Sequence, residues 1–181
     1  MYLQKILKMK SRTEFLLRLM NVLAWIVFIG MVVIAGSITI SYFVSISNPE
    51  AAKDLYKGMN LYAYRKQDFA NYTLLVGYKI ILNILQAYIA FLMTRLLSSI
   101  NLAKPFNSDV VKLMQKISYS ILCVWVVAVI HNVHVAILEK SYGLATAYIS
   151  SDSIFLAGIV YILAQLFKRG AEIQSENELT V

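Results

Sequence analysis

The run from Leu19 to Pro49, LMNVLAWIVFIGMVVIAGSITISYFVSISNP, holds 31 residues without a charge. About 20 apolar residues of helix cross the hydrocarbon core of a bilayer, so this run is more than long enough for one span. It is also about twice the length of a secretion signal's apolar region, and its small residues Ala35, Gly36 and Ser37 lie inside the run rather than at a polar exit. An uncleaved first span follows. A second charge-free run covers Ile117 to Leu138. Ala70 to Tyr78 and Ile80 to Thr94 form another, interrupted by Lys79, and Ser153 to Phe167 supplies 15 more uncharged residues. Because 15 residues fall short of a crossing, the last span is expected to begin near Ala147 and to contain Asp152.

The composition agrees. Hydrophobic residues make up 59% of the chain and charged ones 15%, and mean hydropathy is +0.65, outside the range of ordinary soluble domains. Strands of alternating polarity, which a membrane barrel needs, are absent from the pattern. The expected fold class is all-α, an integral membrane four-helix bundle forming one domain over 1–181. Its spans are placed at about 19–43, 72–97, 117–138 and 147–167, with a tail at 168–181. Before the first span, Leu3, Ile6, Leu7 and Phe15 recur among lysines at near-helical spacing, the pattern of a short N-terminal interfacial helix.

Lys and Arg set the orientation. Eleven fall on the N-terminal segment, the 95–116 connection and the tail, against five on the other two connections. Both termini are therefore expected to be cytoplasmic. This asymmetry accounts for the net charge of +7 as a topology signal with attraction to anionic membrane lipid, and no nucleic-acid-binding motif accompanies it. In the outer connection, Tyr56, Tyr62, Tyr64 and Tyr72 fit interfacial anchors, while Asn71-Tyr72-Thr73 matches a glycosylation pattern of little weight. In the inner connection, Pro105 ends the second helix and Asn107 or Ser108 is suited to cap the third.

Polar residues inside spans are the first place to look for function. Lys79, Asn83 and Gln86 share one face of the second helix, and His131 and His134 one face of the third. A rise of about 1.5 Å per residue puts them and Asp152 at similar depth in the outer half of the bundle. Three readings of this layer stand: a structural Lys79–Asp152 ion pair, a pocket for a ligand or a proton, and a metal site. The last is short of ligands, with two histidines and one carboxylate, and no metal or other cofactor is expected. Catalysis has no support either. Cys123 is a lone cysteine, and phosphate-cradling loops, His-Glu-x-x-His and nucleophile elbows are missing. The chain is expected not to be an enzyme.

The closing segment, Ser153 to Val181, runs SIFLAGIVYILAQLFKRGAEIQSENELTV. Gly170 is placed to end the helix after Lys168 and Arg169. Beyond it Glu172, Glu176 and Glu178 offer negative charge to a basic partner, and Leu179 and Val181 offer apolar anchors.

Lys104-Pro105-Phe106-Asn107 with Asp109-Val110-Val111, followed by Phe155-Leu156-Ala157-Gly158, Lys168-Arg169-Gly170-Ala171-Glu172-Ile173-Gln174 and Glu176-Asn177-Glu178-Leu179-Thr180-Val181, resembles the bacterial DUF2975 family, a domain of unknown function. Its members are often encoded beside a small helix-turn-helix regulator of the Xre type. The resemblance implies a multi-pass protein of the bacterial cytoplasmic (inner) membrane, a sensor or sequestering subunit for that regulator. Lys168 to Val181 would be the docking segment, and self-association is left open. The alternatives are an immunity protein against a membrane-active bacteriocin, acting through residues 45–69, and a small-solute transporter.

Overall fold

In the structure, a computed structural model, residues 2–101, 107–144, 146–150 and 152–179 are described, with side chains between Arg12 and Glu176. The described residues form helices α1 (Tyr2–Ser47), α2 (Tyr62–Gln67), α3 (Phe69–Ser99), α4 (Ser108–Tyr142) and α5 (Ser153–Leu179), with a 3-10 turn at Pro49–Lys53 and no strand among them. Four of these, all but α2, are long and apolar enough to cross a membrane. The chain is thus a multi-pass helical membrane protein.

Local chemistry sets three of the helix ends. Asp68 caps α3, its carboxylate accepting from the backbone N–H groups of Ala70 (2.8 Å) and Asn71 (3.4 Å). Asn107 caps α4 in the expected way, accepting from Val110 N–H at 2.8 Å. Gly143 closes α4 with a left-handed φ of 66° and donates its N–H to the Glu139 carbonyl.

Three expectations need correction. The basic N-terminal segment is not a separate interfacial helix: α1 is continuous from Tyr2, and its 46 residues make a rod of about 69 Å, far longer than the hydrocarbon core. The last helix starts at Ser153 rather than near Ala147, so Asp152 sits just before it. Gly170 does not end α5, which runs on to Leu179. A glycine inside a helix costs only about 1 kcal/mol, which the flanking helix formers offset.

Each long helix packs on its neighbour in sequence: α1 on α3, α3 on α4, and α4 on α5. Among the described residues α1 makes no close backbone contact with α4 or α5. The bundle is therefore open on one side. Accordingly, the most apolar windows of α3 and α4 are 33% and 28% buried, while those of α1 and α5 are each 11% buried. One apolar cluster joins Ile38, Leu75, Val76, Val135 and Leu138 to Leu55 and Leu61 of the Pro49–Gln67 connection, which caps that end of the bundle. A second joins Leu92, Ile117, Ile121 and Ala157 toward the opposite, more basic end.

Candidate functional site

Below the cap, a polar layer is built from α3, α4 and the connection into α5. Asn132 holds the backbone of Ile149 at both ends, its Oδ1 accepting from Ile149 N–H (2.8 Å) and its Nδ2 donating to the Ile149 carbonyl (2.7 Å). Asn132 lies ten residues before the end of α4, so the 143–150 connection folds back about 15 Å along α4 before α5 begins. Ile149 is thereby held about 9 Å inside Leu138, the end of the uncharged run. Irregular backbone at that depth needs protein partners for its polar groups, and the Asn132 amide supplies them.

This clamp also assigns a proton. With Oδ1 of Asn132 turned to Ile149 N–H, Nδ1 of His131 at 3.2 Å must be the donor to that oxygen. His131 is 1% exposed. His134 has the opposite arrangement. Asn71 gives its Nδ2 to the Asp68 carboxylate (2.8 Å), so its Oδ1 accepts from Nε2 of His134 at 3.1 Å. That leaves Nδ1 of His134 buried, with no hydrogen-bond partner among the described residues. Tyr78 packs edge-on against both imidazoles, with centroids 5.7 and 5.8 Å away. Lys79, next in the chain, is half-buried.

Of the six residues expected in this layer, the structure gathers Lys79, His131 and His134. Asn83 turns back and donates to the carbonyl of Lys79 at 2.8 Å, while Gln86 is exposed on α3. The Asp152 carboxylate accepts from the Ser150 hydroxyl (2.8 Å) and forms no ion pair with Lys79. No group of three metal-ligating side chains occurs among the described residues. Asn71, Tyr78 and Asn132 belong to the layer and were missed. Asn132, between two histidines, was the available signal.

Two of the tyrosines expected as interfacial anchors are instead structural. Tyr72 is 0% exposed and bonds Ser45 at 2.6 Å, while Tyr64 is 3% exposed and donates to the Leu144 carbonyl. Tyr64 thereby ties α2 to the connection leading to α5. Its burial, with the Glu139 carboxylate nearby, pushes the Tyr64 phenol above its ordinary value. Tyr148 is likewise raised, by its own hydrogen bond to Glu139. On the cap surface, hydrogen bonds from Lys53 and Tyr62 hold the Glu50 carboxyl below its usual range. Arg65 reaches back to the last carbonyls of α1, at Ser45 and Ile46.

At the opposite end, the start of α4 and the end of α5 enclose a groove of about 590 Å³. Val111 and Ala171 give it an apolar floor, Lys112 and Lys168 line it as cations, and Glu172 and Glu176 as anions. Arg169, outside the lining itself, pairs with the lining carboxylate of Glu172 at 3.1 Å. The side chains of Glu178 and Leu179, and Val181 altogether, lie outside the described residues, as do Lys104, Pro105 and Phe106. The expected docking peptide, placed beyond a helix end at Gly170, is instead, through Leu179, the last part of a helix that forms one wall of a groove.

No curated protein and no solved structure matches the chain. A family model described as a protein of unknown function (DUF2975) matches residues 50–181, from the 3-10 turn of the cap through the end of α5. The chain belongs to the DUF2975 family of proteins of unknown function.

Proposed function

We propose that this protein is a non-enzymatic subunit of the bacterial cytoplasmic membrane that holds or signals to a cytoplasmic helix-turn-helix regulator. The Lys and Arg asymmetry supports a cytoplasmic location for both termini, which puts the α4–α5 groove inside the cell and the cap outside. The observation that carries the reading is the groove itself. It is built from the two segments that carry the family resemblance, and it presents a short apolar floor between charges of both signs. Its size and lining suit the side of an amphipathic helix.

In cells expressing a tagged regulator encoded beside this gene, deletion of residues 172–181 and the single change Glu176→Lys should each move the regulator from the membrane fraction to the soluble one. Unchanged membrane recruitment in both variants overturns the proposal.

The transporter alternative draws little support from the geometry. Asn83 is bonded to its own helix and Gln86 faces outward, so the polar face of α3 does not continue beyond Lys79.

A further inference from the structure

A second groove, of about 540 Å³, is lined by α1 and α3 alone. Ala35, Gly36 and Ala87 are too small to fill it, and Phe28, Tyr88 and Phe91 flank them. A β-carbon on Gly36 would meet nothing within 4 Å, so this glycine does not serve close helix approach; it leaves the space open. The lining carries no charge, and the Thr39 hydroxyl is turned back to the Ala35 carbonyl at 2.7 Å. Val32 and Tyr88 are 48% and 44% exposed, so the groove opens sideways, which beside a spanning helix means toward lipid tails. Its length is limited. From Phe28 to Thr39 on α1 is eleven residues of helix, about 16 Å, half of a hydrocarbon core of about 30 Å. That is the reach of one acyl chain and too short for a helix that crosses the membrane.

One end of the groove carries a cation. Ile84, Tyr88, Phe91 and Arg95 recur at steps of four, three and four, so one face of α3 bears them all. The Arg95 guanidinium lies over the Phe91 ring, 5.0 Å from its centroid, and Phe91 packs on Phe28 at 5.8 Å. Trp25 stands edge-on to Phe28 at 5.5 Å and is 43% exposed, an indole placed as those at a headgroup boundary are. Arg95 is exposed, ends the uncharged run of α3 and pairs with no carboxylate among the described residues.

We propose that this groove binds an anionic phospholipid, with one acyl chain along Ala35, Gly36 and Ala87 and the phosphate on Arg95. The planar fork of the guanidinium matches the oxygens of a phosphate. An unpaired cation at the edge of an uncharged groove favours a lipid of net negative charge over a zwitterionic one. On the orientation argued above, Arg95 stands at the cytoplasmic leaflet, whose surface potential is negative.

The full-length protein in mild detergent is incubated with equal amounts of phosphatidylglycerol and phosphatidylcholine of identical chains, and retained lipid is read by native mass spectrometry. The native chain should retain phosphatidylglycerol in preference. Arg95→Gln should cut that preference by about tenfold, the worth of one charge-assisted contact. Gly36→Leu puts a helix-favouring side chain into the groove and should weaken retention of both lipids with the fold intact. Equal retention of the two lipids by the native chain, an unchanged preference in Arg95→Gln, or native retention in Gly36→Leu would each overturn the proposal. A second measurement needs no substitution. Phosphatidylglycerol with a photoactivatable diazirine in one acyl chain should label residues 28–39 and 84–91, and excess phosphatidylglycerol, but not phosphatidylcholine, should suppress the label. Label spread over the exposed faces of α1 and α5 and indifferent to competitor would mean an ordinary lipid annulus and refute the site. No label in the groove, with a disulfide between Gly36→Cys copies in a Cys123→Ser background, would give the groove to a second copy and refute it equally.

Discussion

Ser45 and Tyr72 show how far a single hydroxyl can be assigned. Ser45 has one hydroxyl proton and gives it to the Tyr42 carbonyl at 2.6 Å, so the Tyr72 phenol must donate to Ser45 across the α1–α3 contact. The two deletions are then unequal. Tyr72→Phe removes a donor and leaves Ser45 still bonded, a loss of about 1 kcal/mol, the net worth of one hydrogen bond. Ser45→Ala strands a fully buried phenol and should cost more, about 1–3 kcal/mol. Thermal unfolding in detergent should therefore rank Ser45→Ala below Tyr72→Phe; the reverse order would show that the phenol has another partner. Nothing in the sequence marked this pair. Tyr72 sits where tyrosines usually anchor at an interface, and it is buried by packing against Tyr42 and Ser45 of α1 within the cluster under the cap. Asn132 was passed over although it lies between two histidines, because its partner is backbone of a connection whose fold the sequence does not mark, while Lys79, His131 and His134 stood out by charge and spacing.

The helices themselves were legible to the extent that charge and caps define them. Asn107 and Ser108 were both readable as caps for α4, and it is Asn107 whose side chain satisfies a backbone N–H that would otherwise be orphaned. The start of α5 was misplaced for a physical reason. Counting 20 residues back from Lys168 assumes that helix fills the whole span, whereas here the first part is connection backbone clamped by Asn132. The connection between α4 and α5 is also fixed from above, by Tyr64 on α2. Since the folded protein raises the Tyr64 phenol above its ordinary 10.0, this tie is fully present below that value and is lost as pH rises through the higher, folded one. An alkaline titration in detergent should loosen the 143–150 connection, read by protease cleavage there. Tyr64→Phe should give faster cleavage at neutral pH and remove most of the alkaline dependence. A variant that keeps the full alkaline response would move its origin to Tyr148, the other raised phenol on this connection.

Across the whole molecule, the row α1–α3–α4–α5 gives the two ends unequal connections. The connection into α5 is attached to α4 by the Asn132–Ile149 clamp, and α5 itself by the Ser118 hydroxyl donating to the Ala157 carbonyl (2.9 Å) and by the groove at the other end. α5 is one helix of 27 residues, about 40 Å long, without a break at Gly170. A displacement at the polar layer therefore reaches the groove along a single rigid element. α1 lies outside this route, since it packs on α3 and the cap. Asn132→Ala should free the start of α5 and change the groove, whereas Tyr72→Phe, at the α1–α3 junction, should leave the groove as it is. Spin labels on Lys112→Cys and Glu172→Cys in a Cys123→Ser background span the groove walls. Their distance distribution should broaden and shift by about 2 Å on adding Asn132→Ala, a size ordinary for a helix displacement, and stay native on adding Tyr72→Phe. An unchanged distribution with Asn132→Ala would mean that the Ser118 bond isolates the groove from the layer, and that any signal between the ends must travel by another element.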